Sequence, residues 1–297
     1  MKAFRIVLLA LLCVTISFPA YSEYSLRDKT VVLTFDDGPR REILKGPKGL
    51  LLLLEAEKIR ATFFVQGWQA KASPDMVREL RVKGHIIANH TYGHASVTQW
   101  IKAAENKLGK DVGPEVLKEK GLERYLKDVD EGMLAILATA GYRPLFFRPP
   151  LWNVDQDLYC QLVARGYLVQ TVQREIHDYN CPDFQKLLEG IQKYSRSRRL
   201  PEANQQKIEE LWRGQERLRR DVNTEDYEIR DSHKLVEYVK KVIRNREQEK
   251  ISVHILVFHE LSWTTEALRI LIPYLKRQGY RFENLPWIYG ITEGDRP

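Results

Sequence analysis

The sequence lacks low-complexity tracts and convincing internal repeats, which excludes disordered, fibrous and repeat architectures. Hydrophobic residues make up 43% of its 297 positions and aromatic residues 10%, a composition typical of globular proteins. A chain of this length can bury a sizeable core in one large domain or in two small ones. These features together predict a compact unit of the size of an enzyme.

Strong charge of one sign is also missing. The formal net charge is +7, the basic residues are spread along the chain, and no basic motif is interleaved with aromatic side chains. Such a motif would be needed to argue for a nucleic-acid-binding surface, so nucleic acid is not expected as a partner. The mild positive charge instead favours association with anionic wall polymers or membrane surfaces.

The apolar run near the amino terminus, Ile6 to Phe18, is too short for a comfortable membrane span. It follows two basic residues and precedes the small-x-small signal Ala20-Tyr21-Ser22, a pattern typical of a secretory signal peptide. We therefore predict that residues 1–22 are a cleaved signal peptide, with an uncleaved anchor as the less favoured alternative. Residues 23–297 would form one exported domain, periplasmic or wall-associated outside the cell, without stable membrane insertion.

Cysteines are scarce. Removal of residues 1–22 leaves only Cys160 and Cys181. Thiols in an oxidising compartment tend to pair, so a disulfide between these two residues is plausible. Two free buried thiols are the alternative.

Strand-like and helix-like segments alternate in the first half of the chain. The strand-like segments are Val31 to Phe35, Ala61 to Val65, His85 to Asn89, Leu145 to Arg148 and Leu168 to Val172. The helix-like segments are Leu50 to Lys58, Pro74 to Lys83, Leu126 to Ala140 and Asp157 to Arg165. This alternation predicts an α/β fold, a parallel sheet or barrel with helices outside, whose chemistry lies at the carboxyl ends of the strands.

Two charged stretches interrupt this rhythm, at about residues 98–124 and 196–250. We interpret both as helical insertions, the second being a solvated amphipathic segment. A cap that contacts substrate, or a surface for a partner, is the alternative for the second stretch.

Two adjacent carboxylates, Asp36 and Asp37, stand at the end of an apolar strand-like run and are followed by Gly38-Pro39. A carboxylate beside a core is costly unless a cation or a metal compensates its charge. The pair therefore indicates a functional site, whereas an ordinary strand exit with two solvated acids is the bland alternative.

His90 and His94 are four positions apart, around Tyr92-Gly93. Two imidazoles and one carboxylate can form an open three-ligand site for a divalent transition metal. Such a site leaves a position for water, whose pKa falls on the metal from about 15.7 to about 7. Histidines at this spacing are by themselves more often surface residues, but the aspartate pair upstream favours the metal site.

These residues resemble the ordered motifs of the polysaccharide deacetylases of the NodB-homology type, within carbohydrate esterase family 4. The resemblance extends from about Thr30 to Tyr280. It rests on the run Thr34-Phe35-Asp36-Asp37-Gly38-Pro39, on His90 and His94, on Ala61-Thr62-Phe63-Phe64-Val65 with Gly67, on Arg148-Pro149-Pro150, and on His259. It implies a distorted (β/α) barrel and removal of N-acetyl groups from the amino sugars of an acetylated glycan, with peptidoglycan as the favoured substrate.

Several alternatives remain open within this resemblance. Chitooligosaccharides or an exopolysaccharide could be the substrate, and the enzyme could instead be an O-acetyl esterase. A non-catalytic glycan-binding module that keeps the fold is the alternative from a different functional class.

The resemblance also implies roles for individual residues. Asp36 would be the general base, held ionised and oriented by Arg148, and His259 would protonate the leaving amine. The metal ligands would be Asp37, His90 and His94. Zinc is the favoured metal, with cobalt or nickel as alternatives.

The remaining roles implied by the resemblance are supporting ones. The backbone N–H of Leu151 would face the developing oxyanion, and Asp178 would tune His259. Positions expected to contact substrate are Pro149, Pro150, Trp152, Tyr179 and Val257. The chain departs from the family at Leu151-Trp152, where an aromatic residue and glycine are usual, and at Glu260, where aspartate is usual. Substrate preference is therefore predicted less sharply than reaction type.

Overall fold

The computed structural model describes residues 29–109, 111–172, 181–183 and 221–288. The predicted signal peptide, Asp178 and Tyr179 lie outside these ranges. Every helix in the described ranges is too short or too polar to span a bilayer.

Strands and helices alternate along the described chain. The strands are β1 (Thr30–Gly38), β2 (Thr62–Val65), β3 (Ile86–Asn89), β4 (Phe146–Phe147), β5 (Leu168–Val169), β6 (Asp221–Asn223), β7 (Val253–His259) and β8 (Arg281–Glu283). The helices are α1 (Arg41–Lys45), α2 (Leu50–Ala56), α3 (Gly67–Ala72), α4 (Pro74–Val82), α5 (Val97–Leu108), α6 (Pro114–Ala140), α7 (Gln156–Ala164), α8 (Ser232–Gln248), α9 (Ser262–Arg277) and α10 (Leu285–Ile288), with a 3-10 turn at Pro150–Trp152. The strands and helices predicted for the first half of the chain are confirmed, with ends shifted by a few residues, except that α6 begins well before the predicted Leu126.

All the strands pair in parallel in one sheet of order β5-β4-β3-β2-β1-β7-β6, and β8 pairs with the first residues of β1. The sheet curls into a half-barrel with helices around it, which confirms the predicted distorted (β/α) barrel. Because the strands are parallel, their carboxyl ends meet at one edge of the sheet.

Side chains of β1 alternate between two cores. Val31, Leu33 and Phe35 pack with the helices outside the sheet, while Val32 packs with Phe64 in the second core. This period of two follows from the pleat of a strand. It places Asp36 on the same face as Val32.

The first charged stretch, residues 98–124, forms α5 and the first part of α6. The two helices are in close contact, since a Cβ added at Gly121 would lie 2.4 Å from the Ile101 side chain. Farther along, α6 buries Val129 and Ile136. This charged stretch is therefore helical, as predicted, and its second part is the start of a helix that supports the barrel.

The prediction of a solvated insertion was wrong for residues 221–250. Strand β6 pairs with β7 inside the sheet, and α8 buries four apolar side chains, Leu235, Val236, Val239 and Ile243. The segment as a whole is highly charged, so its composition suggests a solvated helix. The few apolar residues recur at helical spacing and form one buried face. Residues 196–220 lie outside the described ranges.

Cys160 on α7 and Cys181 form a disulfide, with their Cα atoms 4.9 Å apart. The predicted disulfide is confirmed, and the alternative of two free thiols is wrong. The bond links α7 to the segment that follows β5.

Candidate active site

Asp36 and Asp37, at the carboxyl end of β1, both face the same group of buried polar side chains, although strand alternation would place them on opposite faces of the sheet. Asp37 has a φ of +67°, and the register between β1 and β2 shifts between Asp36 and Gly38. This left-handed residue breaks the alternation and turns the Asp37 carboxylate toward the side of Asp36. Both carboxylates are almost fully buried.

Two histidines from the loop after β3 face Asp37. The Nδ1 atom of His90 lies 2.7 Å from the carbonyl oxygen of Arg148. A ring nitrogen facing a carbonyl carries the proton, so the Nε2 atom of His90 presents its lone pair, 3.5 Å from Asp37 Oδ1. The Nε2 atom of His94 lies 3.0 Å from the same oxygen.

Helix α6 holds this histidine loop. The carboxylate of Asp128 accepts a hydrogen bond from the Gly93 N–H at 3.1 Å, and its carbonyl accepts one from the Tyr92 N–H at 3.0 Å. A Cβ added at Gly132, one turn farther along the helix, would lie 2.6 Å from the carbonyl carbon of Thr91. The helix backbone therefore rests directly on the segment between the two histidines.

Gly132→Ala is expected to push this segment outward, because the added methyl group meets the backbone carbonyl of Thr91 as well as the side-chain oxygen of Asn89, which is fully buried. Overpacking of this kind costs about 1–3 kcal/mol. We expect a lower free energy of unfolding in urea together with weaker zinc binding in a chelator competition assay. Gly113→Ala is the matched control, since that Cβ would meet no atom within 4 Å. Equal effects of the two substitutions would contradict this role of Gly132.

The cluster Asp37, His90 and His94 fits a divalent transition metal. One ligand atom from each residue lies within 4.8 Å of the others. Ligand atoms bound tetrahedrally to one such ion are about 3.3 Å apart, close to the distances from Asp37 to the two histidines.

The charge states of this cluster also suit a metal. Burial would raise the pKa of Asp37, but the hydrogen bond with His94 and electrostatic interactions with the surrounding histidines hold that pKa well below its usual range. Burial lowers the pKa of His90, which favours its neutral form. An ionised carboxylate and a neutral imidazole are the forms that bind metal.

Gln66, directly after β2, is a residue that the sequence analysis did not single out. Its Nε2 atom donates to Asp37 Oδ1 at 2.9 Å, and its Oε1 atom accepts hydrogen bonds from Trp68 Nε1 at 2.7 Å and Gln69 Nε2 at 3.0 Å. These bonds fix the amide and thereby orient the Asp37 carboxylate. The available signal was a polar residue at the carboxyl end of a parallel strand.

Asp36 lies beside the metal-binding cluster and is held by Arg148. The Arg148 Nη1 atom is 2.5 Å from Asp36 Oδ1, and its guanidinium lies 3.9 Å from the ring centroid of Phe64. The other oxygen, Oδ2, is 4.0 Å from His90 Nε2. Arg148 is completely buried, so this charge-assisted pair orients Asp36 with one oxygen toward the cluster.

His259 ends β7 and is the register partner of Asp36. Its Nδ1 atom lies 2.7 Å from Asp226 Oδ1, and its Nε2 atom lies 4.0 Å from Asp37 Oδ2. Burial alone would lower the pKa of His259, but the hydrogen bond and charge of Asp226 raise it above the ordinary value. His259 therefore keeps its proton to higher pH than an exposed histidine and can act as an acid.

The carboxylate partner of His259 in the described part of the chain is Asp226, whereas Asp178, predicted for this role, lies outside the described residues. Asp226 is fully buried and also accepts hydrogen bonds from the His259 N–H and the Thr264 hydroxyl, each at 2.7 Å. The ring of Tyr227 lies edge-on to the His259 ring, with centroids 4.3 Å apart. An aspartate followed by an aromatic residue upstream of the last long strand was the signal, and it was missed because this segment was interpreted as an insertion.

The sequence profile of the family described as "Polysaccharide deacetylase" matches residues 23–168. The chain belongs to the polysaccharide deacetylase family. The match covers Asp36, Asp37 and both loop histidines, whereas Asp226 and His259 lie beyond it.

Curated relatives carry names of this family. The chain is 35% identical over 139 residues to a peptidoglycan-N-acetylglucosamine deacetylase of Bacillus cereus, covering 47% of this chain and 42% of the relative. It is 33% identical over 178 residues to the peptidoglycan-N-acetylmuramic acid deacetylase PdaA of Bacillus subtilis, covering 53% and 66%. The chain spans about half the length of several curated relatives that it matches.

Solved structures share the deacetylase fold along most of the chain. A peptidoglycan N-acetylglucosamine deacetylase superposes with a TM-score of 0.59 at 20% identity, covering 91% of this chain and 92% of the other. A pseudoenzyme of carbohydrate esterase family 4 from Bacillus anthracis superposes with a TM-score of 0.55 at 17% identity, covering 89% and 66%. At these identities the likeness shows the fold.

Other predicted site residues of this deacetylase-family chain lie on nearby elements. Pro149, Pro150, Leu151 and Trp152 form the turn after β4, and the Trp152 ring centroid is 5.4 Å from the Arg148 guanidinium. Val257 is buried on β7, two residues before His259 and therefore on the same face. Their roles toward oxyanion and substrate stay predictions.

Five residues at the end of β1, in the histidine loop and in the turn after β4 have a left-handed backbone without being glycine. They are Asp37, Thr91, His94, Leu151 and Trp152, with φ between 56° and 67°. Non-glycine residues are uncommon in this region. The loops that form the site are therefore held in conformations that isolated peptides rarely adopt.

Asp226→Asn is expected to move the descending limb of the pH profile to lower pH. The acid form of His259 is lost as pH rises through its raised pKa, and the substitution removes the charge that raises that pKa. We also expect kcat to fall by about 10²-fold or more, as for loss of a positioned general acid. The measurement is kcat/KM between pH 5.5 and 9.5, about the range in which histidine titrates.

Asp231→Asn provides the control for this pH experiment, because it removes the same charge from the exposed N-cap of α8, where the asparagine oxygen can still accept the capping hydrogen bond from the Lys234 N–H. We expect its profile to match that of the wild type. An unchanged descending limb in Asp226→Asn would show that Asp226 does not set the protonation of His259.

Proposed function

We propose that this protein is a metal-dependent N-deacetylase that acts on acetylated amino sugars of an exported polysaccharide, with peptidoglycan as the favoured substrate. One observation carries the proposal. The cluster Asp37, His90 and His94 is flanked by Asp36, which Arg148 orients, and by His259, which Asp226 orients. The family match and the names of the relatives support the same class of reaction.

Amide hydrolysis requires an activated water, charge stabilisation at the carbonyl oxygen and a proton for the leaving amine. A divalent metal held by Asp37 and the two histidines supplies Lewis-acid chemistry when bound, and the donor set favours zinc. Asp36 accepts the proton of the attacking water at Oδ2, because Arg148 occupies Oδ1. His259 donates its Nε2 proton to the departing amine.

Export is the second part of the proposal. It is supported by the signal-peptide pattern of residues 1–22 and by the mild positive charge, which suits contact with anionic wall polymers. The disulfide between Cys160 and Cys181 agrees with an oxidising compartment.

A non-catalytic glycan-binding module is the second candidate, since a pseudoenzyme shares the fold. A binding module has no need of both an oriented acid and an oriented base. The presence of both pairs in this chain favours turnover.

The deciding experiment measures metal content and acetate release with the same preparation. The protein loaded with Zn²⁺ is incubated with N-acetylglucosamine oligomers, peptidoglycan fragments and O-acetylated xylan, and products are identified by mass spectrometry. We expect loss of acetyl groups from amino sugars. Glycan binding without acetate release from a metal-loaded protein would favour the binding module, and release from the ester alone would favour an O-acetyl esterase.

A further inference from the structure

Arg40 places a cation at the edge of the candidate active site. Its Nη2 atom donates to the Tyr227 hydroxyl at 3.2 Å, and that hydroxyl donates to Asp37 Oδ2 at 3.4 Å. The guanidinium is therefore one tyrosine hydroxyl away from a carboxylate of the metal-binding cluster. Arg40 is half-buried, whereas Tyr227 is exposed at the mouth of the site.

Within the described ranges, Arg40 has no carboxylate oxygen within 4.0 Å of its guanidinium, whereas its neighbour Arg41 pairs with Asp75 at 2.5 Å. Burial opposes the charge of Arg40, but the hydrogen bond with Tyr227 and the negative charge of Asp37 raise its pKa. The residue thus remains a cation. A guanidinium beside a reaction centre is suited to an anionic group of a substrate.

We propose that Arg40, oriented by Tyr227, binds the carboxylate of a substituent on the ring carbon next to the carbon that bears the N-acetyl group. The lactyl ether of N-acetylmuramic acid is such a substituent. This inference rests on the proposed function and names its substrate class. The acetamido carbon and the ether carbon are neighbours in such a sugar. When the acetyl group lies at the metal-binding cluster, the lactyl carboxylate can therefore reach the guanidinium of Arg40, which is separated from Asp37 by the Tyr227 hydroxyl. N-acetylglucosamine has no anion at this position.

The test compares two peptide-free disaccharides of N-acetylglucosamine and N-acetylmuramic acid. One keeps the free lactyl carboxylate, and in the other this group is converted to a neutral methylamide. Binding is measured by calorimetry with zinc-loaded protein that carries Asp36→Asn to keep the ligand intact, and acetate release is measured with Asp36 present. Both measurements, binding and acetate release, are made with and without Arg40→Gln.

We expect the acid ligand to bind about tenfold or more tightly than the amide at low salt when Arg40 is present, as for a charge-assisted hydrogen bond. Arg40→Gln should bind both ligands alike. Arg41→Gln removes the same charge from an exposed ion pair and should retain the preference. Acetate release should show the same preference in kcat/KM, mainly through KM.

Equal binding of acid and amide by the protein with Arg40 would overturn this assignment, as would loss of the preference in Arg41→Gln. Zinc affinity is measured in parallel by chelator competition. If Arg40→Gln weakens zinc binding and keeps the preference, Arg40 acts on Asp37 and the proposal is wrong. The binding preference does not depend on turnover, so absence of acetate release from every glycan would count against the proposed function separately.

Discussion

Asp36→Asn is expected to lower kcat for acetate release by about 10²- to 10⁴-fold, the contribution typical of a positioned general base. Asparagine keeps the shape of the side chain but cannot accept the proton of the attacking water. Asp36 is outside the cluster of metal ligands, and Arg148 already occupies one of its oxygens. Zinc affinity should therefore change much less than turnover. The measurements are initial rates of acetate release and zinc affinity on the same preparation.

Asp75→Asn is the matched control, because Asp75 forms an exposed ion pair with Arg41. It removes the same charge from the protein surface and should leave turnover unchanged. If Asp36→Asn retained turnover close to that of the wild type, the assignment of Asp36 as base would be wrong. If it lost zinc as well as turnover, Asp36 would be a metal ligand instead.

His94→Ala is expected to weaken zinc binding by more than the roughly 10- to 100-fold typical of outer-shell substitutions, because it removes one of three protein ligands. Acetate release should fall on the order of 10³-fold at a zinc concentration that saturates the wild type, since the Lewis acid is then absent. His94 is less buried than His90, so its removal disturbs the fold less. Zinc affinity and unfolding are measured together to separate these effects.

Chelation provides the companion experiment. A chelator should remove activity from the wild type, and added Zn²⁺ should restore it, whereas His94→Ala should not recover at the same concentration. His233→Ala is the control, because His233 is an exposed histidine on α8. Full activity of the wild type after exhaustive removal of metal would contradict the metal-dependent mechanism.

The sequence predicted the barrel and the metal-binding cluster for the same physical reason. Apolar strands such as Val31 to Phe35 alternate with helices, and parallel strands bring their carboxyl ends to one edge. Asp37 lies near the carboxyl end of β1, and His90 follows β3 two strands away, so this topology alone brings them close. The left-handed backbone of Asp37, which brings its carboxylate to the side of Asp36, had no signal in the hydrophobic pattern.

Asp226 and β6 could not be recognised in this way. The segment around them is highly charged, and a three-residue strand gives too little periodicity to stand out. The contacts of Arg40 with Tyr227 join residues 187 positions apart, which no local pattern encodes. The pairing of Arg40 with Tyr227 therefore emerges only from the structure.

The left-handed residues around the site bear on how this protein would tolerate selection for heat resistance. Each non-glycine residue in that conformation costs roughly 1–2 kcal/mol relative to a relaxed backbone. Glycine at Leu151, whose side chain is exposed, would relieve that cost and also loosen the loop that holds the turn after β4. Substitutions of this kind should therefore raise the melting temperature and lower kcat. Variants selected for melting temperature alone should be slower enzymes.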